Sequence, residues 1–133
     1  MERGLILETT FLIDLEREAL RSAPGPAHQF LEDHASARLH MALVTAGELA
    51  AGPRLSGRPT WESLIGRFEV IPPDVDVAWR FGQTFRYLKE NGLLIGANDL
   101  WIAATALEAG MPLVTRNQGH FRRVPELEVL GYG

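Results

Sequence analysis

Short apolar runs alternate with longer segments of helical periodicity along the chain, and this alternation is the feature that most limits the fold. Strands are predicted at Gly4–Leu7, His40–Val44, Phe68–Ile71, Pro112–Val114 and Leu127–Leu130. Six helices are predicted. The first is capped by Thr9 or Thr10 and ends near Leu20, the second runs through Phe30 and Ala35, and the third is opened by Thr45. The fourth carries Trp61 and Ile65, the fifth is capped by Asp74 or Asp76, and the sixth covers Asp99–Ala109. The pattern predicts a right-handed, mostly parallel α/β domain with three layers (α/β/α) and four to five strands.

Length and composition are typical of an ordinary globular protein. With 133 residues, 46% of them hydrophobic and 23% charged, the chain is expected to form a single domain over residues 1–133. No apolar stretch approaches the roughly 20 residues that cross a bilayer, and no charged and apolar leader precedes the first strand. We therefore expect a cytoplasmic protein with no membrane contact. Cysteine is absent from the sequence, which excludes disulfides and thiolate metal sites.

The charge balance bears on nucleic-acid binding in two opposite ways. The net charge of −4 argues against a strongly basic footprint. A cluster of metal-binding carboxylates would lower that total while the rim around it stayed basic. Lys89 is the one lysine among 13 basic residues, and the others are arginines, which grip phosphate in a fork. Arginines lie near the candidate site in sequence at positions 54, 58, 116, 122 and 123, although any one of them is an ordinary surface residue by default.

Four polar side chains lie where a strand ends or a helix begins: Glu8, Glu48, Asp99 and Asn117. The carboxyl ends of parallel strands share one edge of a sheet, where ligands bind in a crevice. Carboxylates gathered there would repel one another unless a divalent cation neutralised them. The sequence thus predicts a metal site with hydrolytic chemistry, in which Glu8, Glu48 and Asp99 are the metal ligands.

Each of these residues also has a simpler interpretation. Thr45 and Glu48 have the spacing of a helix capping box. Asp99 at a helix start would cap N–H groups and complement the helix dipole. Asn117 is an ordinary turn residue. Glu8 is harder to explain away, because a carboxylate that follows a buried strand directly is rare without a partner.

Several further residues have predicted supporting or peripheral roles. The hydroxyls of Thr10 and Thr115 are suited to orienting a carboxylate or a metal-bound water, and their simpler roles are a helix cap and a strand end. His120 is interpreted as a surface or helix-capping histidine, and Asp14 is placed on a helix face away from Thr10. Trp101, on the least apolar face of its helix, is either a subunit contact or a peripheral core residue.

The motifs resemble those of PIN-domain ribonucleases, and in particular the VapC toxins of type II (VapBC) toxin–antitoxin pairs. The resemblance covers almost the whole chain and is carried by four ordered segments: Leu5–Leu15, which includes Glu8-Thr9-Thr10, Val44–Leu49, Ile95–Ala106 and Leu113–Phe121, which includes Thr115-Arg116-Asn117. It implies that Glu8, Glu48 and Asp99 occupy the acidic metal positions, that Asn117 occupies a fourth, variable one, and that Thr10 and Thr115 are the supporting hydroxyls.

The resemblance also implies an activity and partners. The family reaction is endonucleolytic cleavage of RNA, often tRNA or ribosomal RNA, with Mg²⁺ or Mn²⁺ activating water. We accordingly expect a homodimer that is inhibited by a cognate VapB-type antitoxin, which often puts an arginine into the acidic site. Phe11, Leu12, Trp61, Arg54 and Arg58 are candidate antitoxin contacts, and Arg54, Arg58 and Arg116 are candidate RNA or antitoxin contacts.

One departure from the family pattern bears on activity, because Glu8 stands where the family normally has Asp. The extra methylene moves the carboxylate about 1.5 Å further from the backbone. Mg²⁺ demands near-ideal octahedral geometry, and a displacement of about 1 Å costs on the order of a hundredfold in rate. Glu8, whether natural or introduced so that a toxic protein could be produced, is therefore expected to attenuate the activity.

Other functions compete with this interpretation. A catalytically silent PIN-like module that binds protein is kept open by Glu8 and Asn117. A phosphate-accepting receiver domain would need a lysine after the last strand, whereas Lys89 lies within a predicted helix. A nucleotide-binding redox fold is disfavoured because no Gly-x-Gly-x-x-Gly follows the first strand.

Overall fold

The strands form one sheet in which every pairing is parallel. The computed structural model describes residues 3–133. Its strands are β1 (Leu5–Leu7), β2 (Leu39–Ala42), β3 (Glu69–Ile71), β4 (Leu113–Val114) and β5 (Val129–Leu130). Its α-helices are α1 (Thr9–Leu20), α2 (Pro26–Asp33), α3 (Leu43–Ala51), α4 (Arg58–Ile65), α5 (Val75–Glu90), α6 (Ala97–Ala109) and α7 (Gln118–Phe121), with a short 3₁₀ turn at Pro53–Leu55.

The strand order is β3-β2-β1-β4-β5. β2 and β3 are added on one side of β1, and β4 and β5 on the other, so the strand order reverses between β1 and β4. Ile6 of β1 pairs with His40 of β2 on one side and with Leu113 of β4 on the other. In open parallel sheets ligands bind where the strand order reverses, outside the carboxyl ends of the strands. The crevice between β1 and β4 is therefore the place where the topology puts a site.

Successive strand residues face opposite layers, which explains why β1 is apolar throughout. Leu5 and Leu7 pack with α1 to α4 on one face, whereas Ile6 packs with α5 to α7 on the other. Both faces are therefore covered by helices, and the predicted three-layer α/β/α architecture is confirmed. Trp101 stacks on Phe81 of α5 at 4.2 Å between ring centroids, so it lies at the edge of the core between α5 and α6.

Several boundaries differ from the prediction, and the N-cap of α1 is Glu8 rather than Thr9 or Thr10. β2 ends at Ala42 and α3 begins at Leu43, two residues before the predicted start at Thr45. No glycine, proline or polar residue marks this change from strand to helix, so periodicity cannot locate it. α6 begins at Ala97 rather than at Asp99, and the predicted turn after β4 contains the short helix α7.

Helix ends are stabilised by identifiable groups. Asp74 caps α5 by accepting a hydrogen bond from the Val77 N–H at 2.9 Å, as predicted. Gly110 ends α6 in the left-handed conformation (φ 66°), which glycine adopts without strain. The N-terminus of α2 is capped by Glu18, a buried residue of α1, which accepts hydrogen bonds from the N–H groups of Gly25, Ala27 and His28.

Within residues 3–133, no helix is long and apolar enough to span a membrane.

Candidate active site

Glu8 lies directly after β1, in the crevice between β1 and β4, and is only 3% exposed. Its backbone N–H donates to the Val114 carbonyl of β4 at 2.9 Å, which fixes the residue against the neighbouring strand. Its side-chain oxygen Oε1 accepts hydrogen bonds from the hydroxyls of Thr10 at 2.6 Å and Thr115 at 2.5 Å. Both predicted supporting threonines therefore contact the carboxylate that they were expected to orient.

The electrostatic environment of Glu8 opposes its ionisation. Burial raises the pKa of the Glu8 carboxyl above its ordinary value, and the negative charge of Asp99 raises that pKa further. The hydroxyl hydrogen bonds from Thr10 and Thr115 act in the opposite direction, because they stabilise the ionised form. Glu8 and Asp99 therefore interact electrostatically, as expected of two carboxylates at one edge of the sheet.

Asp99 lies in the first turn of α6 and contacts a residue that sequence analysis assigned elsewhere. The Nε2 atom of His120 lies 2.9 Å from Oδ2 of Asp99. The interpretation of His120 as a surface or capping histidine is therefore wrong, since its ring reaches the acidic edge from α7. The residue preceding α6 is Gly96, so Asp99 is not the N-cap. His120 lies on the short helix α7, which no pattern in the sequence indicates.

Glu48 lies on α3 and is held by residues from other elements. Its Oε1 accepts a hydrogen bond from the Thr9 hydroxyl at 2.7 Å, and the amide nitrogen of Asn98 lies 3.5 Å from its Oε2. The capping-box alternative is wrong, because α3 begins before Thr45 and Glu48 is bonded to Thr9 instead. Asn98 is a residue near the acidic groups that no sequence pattern indicated.

The turn after β4 carries Asn117 and Arg116. The backbone N–H of Asn117 donates to the Thr115 hydroxyl at 2.9 Å, and Asn117 is exposed at the N-terminus of α7. Arg116 forms an ion pair with Asp14, with Nη1 2.7 Å from Oδ1. The placement of Asp14 away from Thr10 is therefore wrong. The two residues are four positions apart on α1 and share one face of that helix, which the turn contacts.

The donor chemistry fits a hard divalent cation. Carboxylate oxygens are the ligands that Mg²⁺ and Mn²⁺ prefer, and the repulsion between Glu8 and Asp99 is what a cation would relieve. Among residues 3–133, no group of three or more His, Asp or Glu side chains is arranged to hold a metal ion. Mg²⁺ in proteins is often held by one or two carboxylates, so the fit depends on Glu8 and Asp99.

An apolar groove runs beside Glu48 between α1 and α3, and we call it the α1–α3 groove. Its lining residues are Leu12, Ile13, Glu16, Arg17, Glu48, Leu49, Gly52, Pro53, Arg54 and Leu55. Arg54 thus lines the groove, whereas Arg58 forms an exposed pair with Glu62 on α4. Phe11 is completely buried against Phe30 and Tyr132, so its interpretation as an antitoxin contact is wrong.

Comparisons with known proteins match the chain to one family model and to several relatives. The PIN-domain family model matches residues 5–127. The chain is 30% identical over 130 residues to Ribonuclease VapC1 of Haemophilus influenzae, an alignment that covers 92% of this chain and 93% of that protein. It is also 30% identical over 99 residues to the tRNA(fMet)-specific endonuclease VapC of Salmonella typhimurium, covering 71% and 75% of the two chains.

A solved structure extends the similarity to three dimensions. The VapBC-1 structure from nontypeable Haemophilus influenzae superposes with a TM-score of 0.80 at 27% identity, and the match covers 98% of each chain.

Proposed function

Because the chain belongs to the PIN-domain family, and within it to the VapC ribonucleases, we propose that it is a metal-dependent endoribonuclease whose site lies between β1 and β4. The observation that carries the proposal is the buried carboxylate of Glu8, held by Thr10 and Thr115 within the electrostatic reach of Asp99. A buried carboxylate beside a second acid destabilises a fold, and a bound cation would explain why one lies where the strand order reverses.

We assign roles to the acidic residues on this basis. Glu8 and Asp99 would hold Mg²⁺ or Mn²⁺, with Glu48 and Asn117 beside them as the further predicted catalytic positions. When bound, the ion supplies water activation and neutralisation of phosphate charge for phosphodiester hydrolysis. The hydroxyls of Thr10 and Thr115 fix one oxygen of Glu8, which leaves the other oxygen to face the crevice.

Two contacts keep the remaining acids in place. The His120 ring, 2.9 Å from Asp99, restricts the rotation of that carboxylate and fixes one of its oxygens. The Thr9 hydroxyl does the same for Glu48, 2.7 Å away. Positioning of this kind matters because displacements of about 1 Å at a reacting centre cost on the order of a hundredfold in rate.

RNA is the substrate that the surrounding charges support. Arg116 lies exposed directly after Thr115, where its guanidinium can bind a phosphate of an RNA strand. Arg122 and Arg123 are exposed further along the chain, after α7. Within RNA we propose the tRNA or ribosomal RNA class. The relative named a tRNA(fMet)-specific endonuclease supports the first of these.

We further propose that the chain is the toxin of a toxin–antitoxin pair and that its VapB-type antitoxin occupies the α1–α3 groove. The groove is lined by the apolar side chains of Ile13 and Leu49 and by Glu48, so it suits an amphipathic segment with a basic side chain that would reach Glu48. The VapBC complexes among the solved structures support this assignment, and we retain the homodimer as part of the proposal.

The test is cleavage of total bacterial RNA by the purified chain, with sequencing of the new 5′ ends. We expect discrete cleavage sites with Mg²⁺ or Mn²⁺, none with EDTA, and none with Asp99→Ala. Cleavage that persists in both controls would be due to a contaminant and would contradict the proposal.

A catalytically silent protein-binding module is the second candidate. It is favoured by the raised pKa of Glu8 and by the lack, within residues 3–133, of a group of three acids or histidines arranged for one ion. Calorimetric titration with Mn²⁺ separates the two candidates. Saturable binding that Asp99→Asn abolishes supports the nuclease, whereas the absence of binding by the wild-type chain supports the module.

A further inference from the structure

The turn after β4 is fastened to one face of α1. The backbone N–H of Arg116 donates to the Thr10 hydroxyl at 3.1 Å, and the Arg116 guanidinium donates through Nη1 to Asp14 at 2.7 Å. The same Thr10 hydroxyl donates to Glu8 at 2.6 Å. Arg116 is therefore joined to the acidic crevice through a single shared hydroxyl.

Tyr132, which follows β5, completes this arrangement from the other side. Its hydroxyl donates to Oδ2 of Asp14 at 2.7 Å, while Arg116 uses Oδ1. The Tyr132 ring packs edge-on against Phe11 at 4.8 Å and against Phe30 at 6.5 Å. Burial raises the pKa of Tyr132, and the hydrogen bond to Asp14 raises it further, so the phenol stays a donor at neutral pH.

These contacts constrain Arg116 without covering it. Its side chain is 53% exposed, whereas that of Asp14 is 18% exposed. A guanidinium has five N–H donors, and within residues 3–133 the side-chain hydrogen bond of Arg116 uses Nη1 alone. Asp14 accepts hydrogen bonds from both the Tyr132 hydroxyl and the Arg116 guanidinium. The guanidinium is therefore held in one orientation, and its remaining N–H groups can donate to a ligand.

We propose that Tyr132 and Asp14 are positioning residues that hold the Arg116 guanidinium at the rim of the crevice, where it binds a phosphate of the RNA strand. The inference rests on the proposed function and deepens it. An arginine side chain that is already ordered loses less conformational entropy when it binds, and this is how the two residues would raise RNA affinity.

The experiment measures binding of a short, fluorescein-labelled, single-stranded RNA of mixed sequence by fluorescence anisotropy in EDTA, which prevents cleavage. Arg116→Gln is expected to weaken binding about tenfold and to lower the salt dependence by about one phosphate contact. Tyr132→Phe keeps the ring and removes the hydroxyl, and should weaken binding about threefold. The double variant should bind like Arg116→Gln alone, because Tyr132 acts through Arg116.

A matched control is Tyr87→Phe, since Tyr87 is the other of the two tyrosines and lies exposed on α5. It should bind RNA like the wild-type chain. In cleavage assays Tyr132→Phe should raise KM and leave kcat nearly unchanged, whereas a purely structural role would lower the active fraction and leave KM unchanged. Asp14→Asn, which keeps the shape and removes the charge, should also weaken binding and carries the test if Tyr132→Phe does not fold.

Three results would overturn the inference while leaving the proposed function intact. The first is unchanged RNA binding in Tyr132→Phe. The second is that Tyr132→Phe weakens RNA binding by the same factor in the Arg116→Gln variant as in the wild-type chain, which would show that Tyr132 acts independently of Arg116. The third is tighter binding in Asp14→Asn, which would mean that Asp14 masks Arg116 rather than positions it. Failure of the wild-type chain to bind RNA in EDTA would also overturn the inference, whereas the proposed function is tested separately by Mg²⁺- or Mn²⁺-dependent cleavage.

Discussion

The hydroxyl of Thr115 lies 2.5 Å from Oε1 of Glu8, although 107 residues separate the two along the chain. Parallel pairing of β1 with β4 brings them together, since each residue directly follows its strand. The contact stabilises an ionised carboxylate that burial and Asp99 both disfavour. The predictions on Glu8 follow from this balance.

Replacing Glu8 with Gln should stabilise the metal-free protein near neutral pH. The pKa of Glu8 is raised in the folded state, so the folded protein loses stability relative to a neutral side chain as pH rises through that pKa. Thermal unfolding in EDTA should give a higher Tm for Glu8→Gln at neutral pH. At a pH below the ordinary glutamate value the two proteins should unfold alike, because Glu8 is then protonated in both states.

Added Mg²⁺ should reverse this order. A ligand that binds only the folded state stabilises it, so the Tm of the wild-type chain should rise with Mg²⁺ concentration while that of Glu8→Gln changes little. Glu90→Gln, an exposed substitution on α5, serves as the control and should respond like the wild type. An equal response of Glu8→Gln to Mg²⁺ would show that Glu8 is not a ligand.

Replacing Glu8 with Asp should raise Mg²⁺-dependent RNA cleavage. If the longer side chain displaces the carboxylate, a shift of about 1 Å accounts for up to about a hundredfold in rate. Initial rates of the two proteins on the same RNA at saturating Mg²⁺ give the comparison. Equal rates would mean that Glu8 does not attenuate the enzyme, and that the Thr10 and Thr115 hydroxyls hold the longer acid where it is needed.

His120 should matter through its contact with Asp99, in which Nε2 lies 2.9 Å from Oδ2. His120→Ala frees that carboxylate, and loss of such an orienting partner typically costs about tenfold or more in metal affinity or activity. His120→Gln keeps an N–H donor near the position of Nε2 and should retain most of the activity. If both substitutions lower RNA cleavage equally, hydrogen bonding to Asp99 is not what His120 contributes.

Glu18 should control stability toward acid. Burial opposes its ionisation, but the N–H groups of His28, Ala27 and Gly25 and the His28 ring outweigh burial and lower the pKa of Glu18 to about 2. The folded pKa is depressed, so the contribution of about 3 kcal/mol is present above the ordinary value of 4.5 and is lost as pH falls toward 2.

Urea unfolding of Glu18→Gln tests this contribution. The free energy of unfolding should be about 2–3 kcal/mol below that of the wild type at neutral pH, and the difference should shrink as the solution is acidified. Glu32→Gln, an exposed substitution on α2, should show little difference at either pH. A loss for Glu18→Gln that is the same at both pH values would assign the effect to packing rather than to charge.

The sequence was sufficient to predict a crevice at the carboxyl ends of the strands, with Glu8 in it. It was sufficient because buried strands and polar residues directly after them are visible as local patterns. The start of α3 was not predictable, since the apolar run through Ala42 and Leu43 continues across the boundary. The contact between His120 and Asp99 was not predictable either, because it depends on the orientation of α7 against α6.

Asp14 illustrates a different kind of error. Its helical spacing from Thr10 is local information, and correct use of it would have placed both residues on one face. What local information cannot supply is the partner, because Arg116 and Tyr132 reach Asp14 from segments more than 100 positions away.

The adjacency of β1 and β4 also has a consequence for synthesis of the protein on the ribosome. Glu8, Glu48 and Asp99 are all translated before β4, yet one wall of the crevice and the Thr115 hydroxyl are made only afterwards. A nascent polypeptide therefore carries these three acidic residues before it has the crevice that holds Glu8. A fragment released by a premature stop codon upstream of β4 would lack that wall of the crevice, even though Glu8, Glu48 and Asp99 were all present.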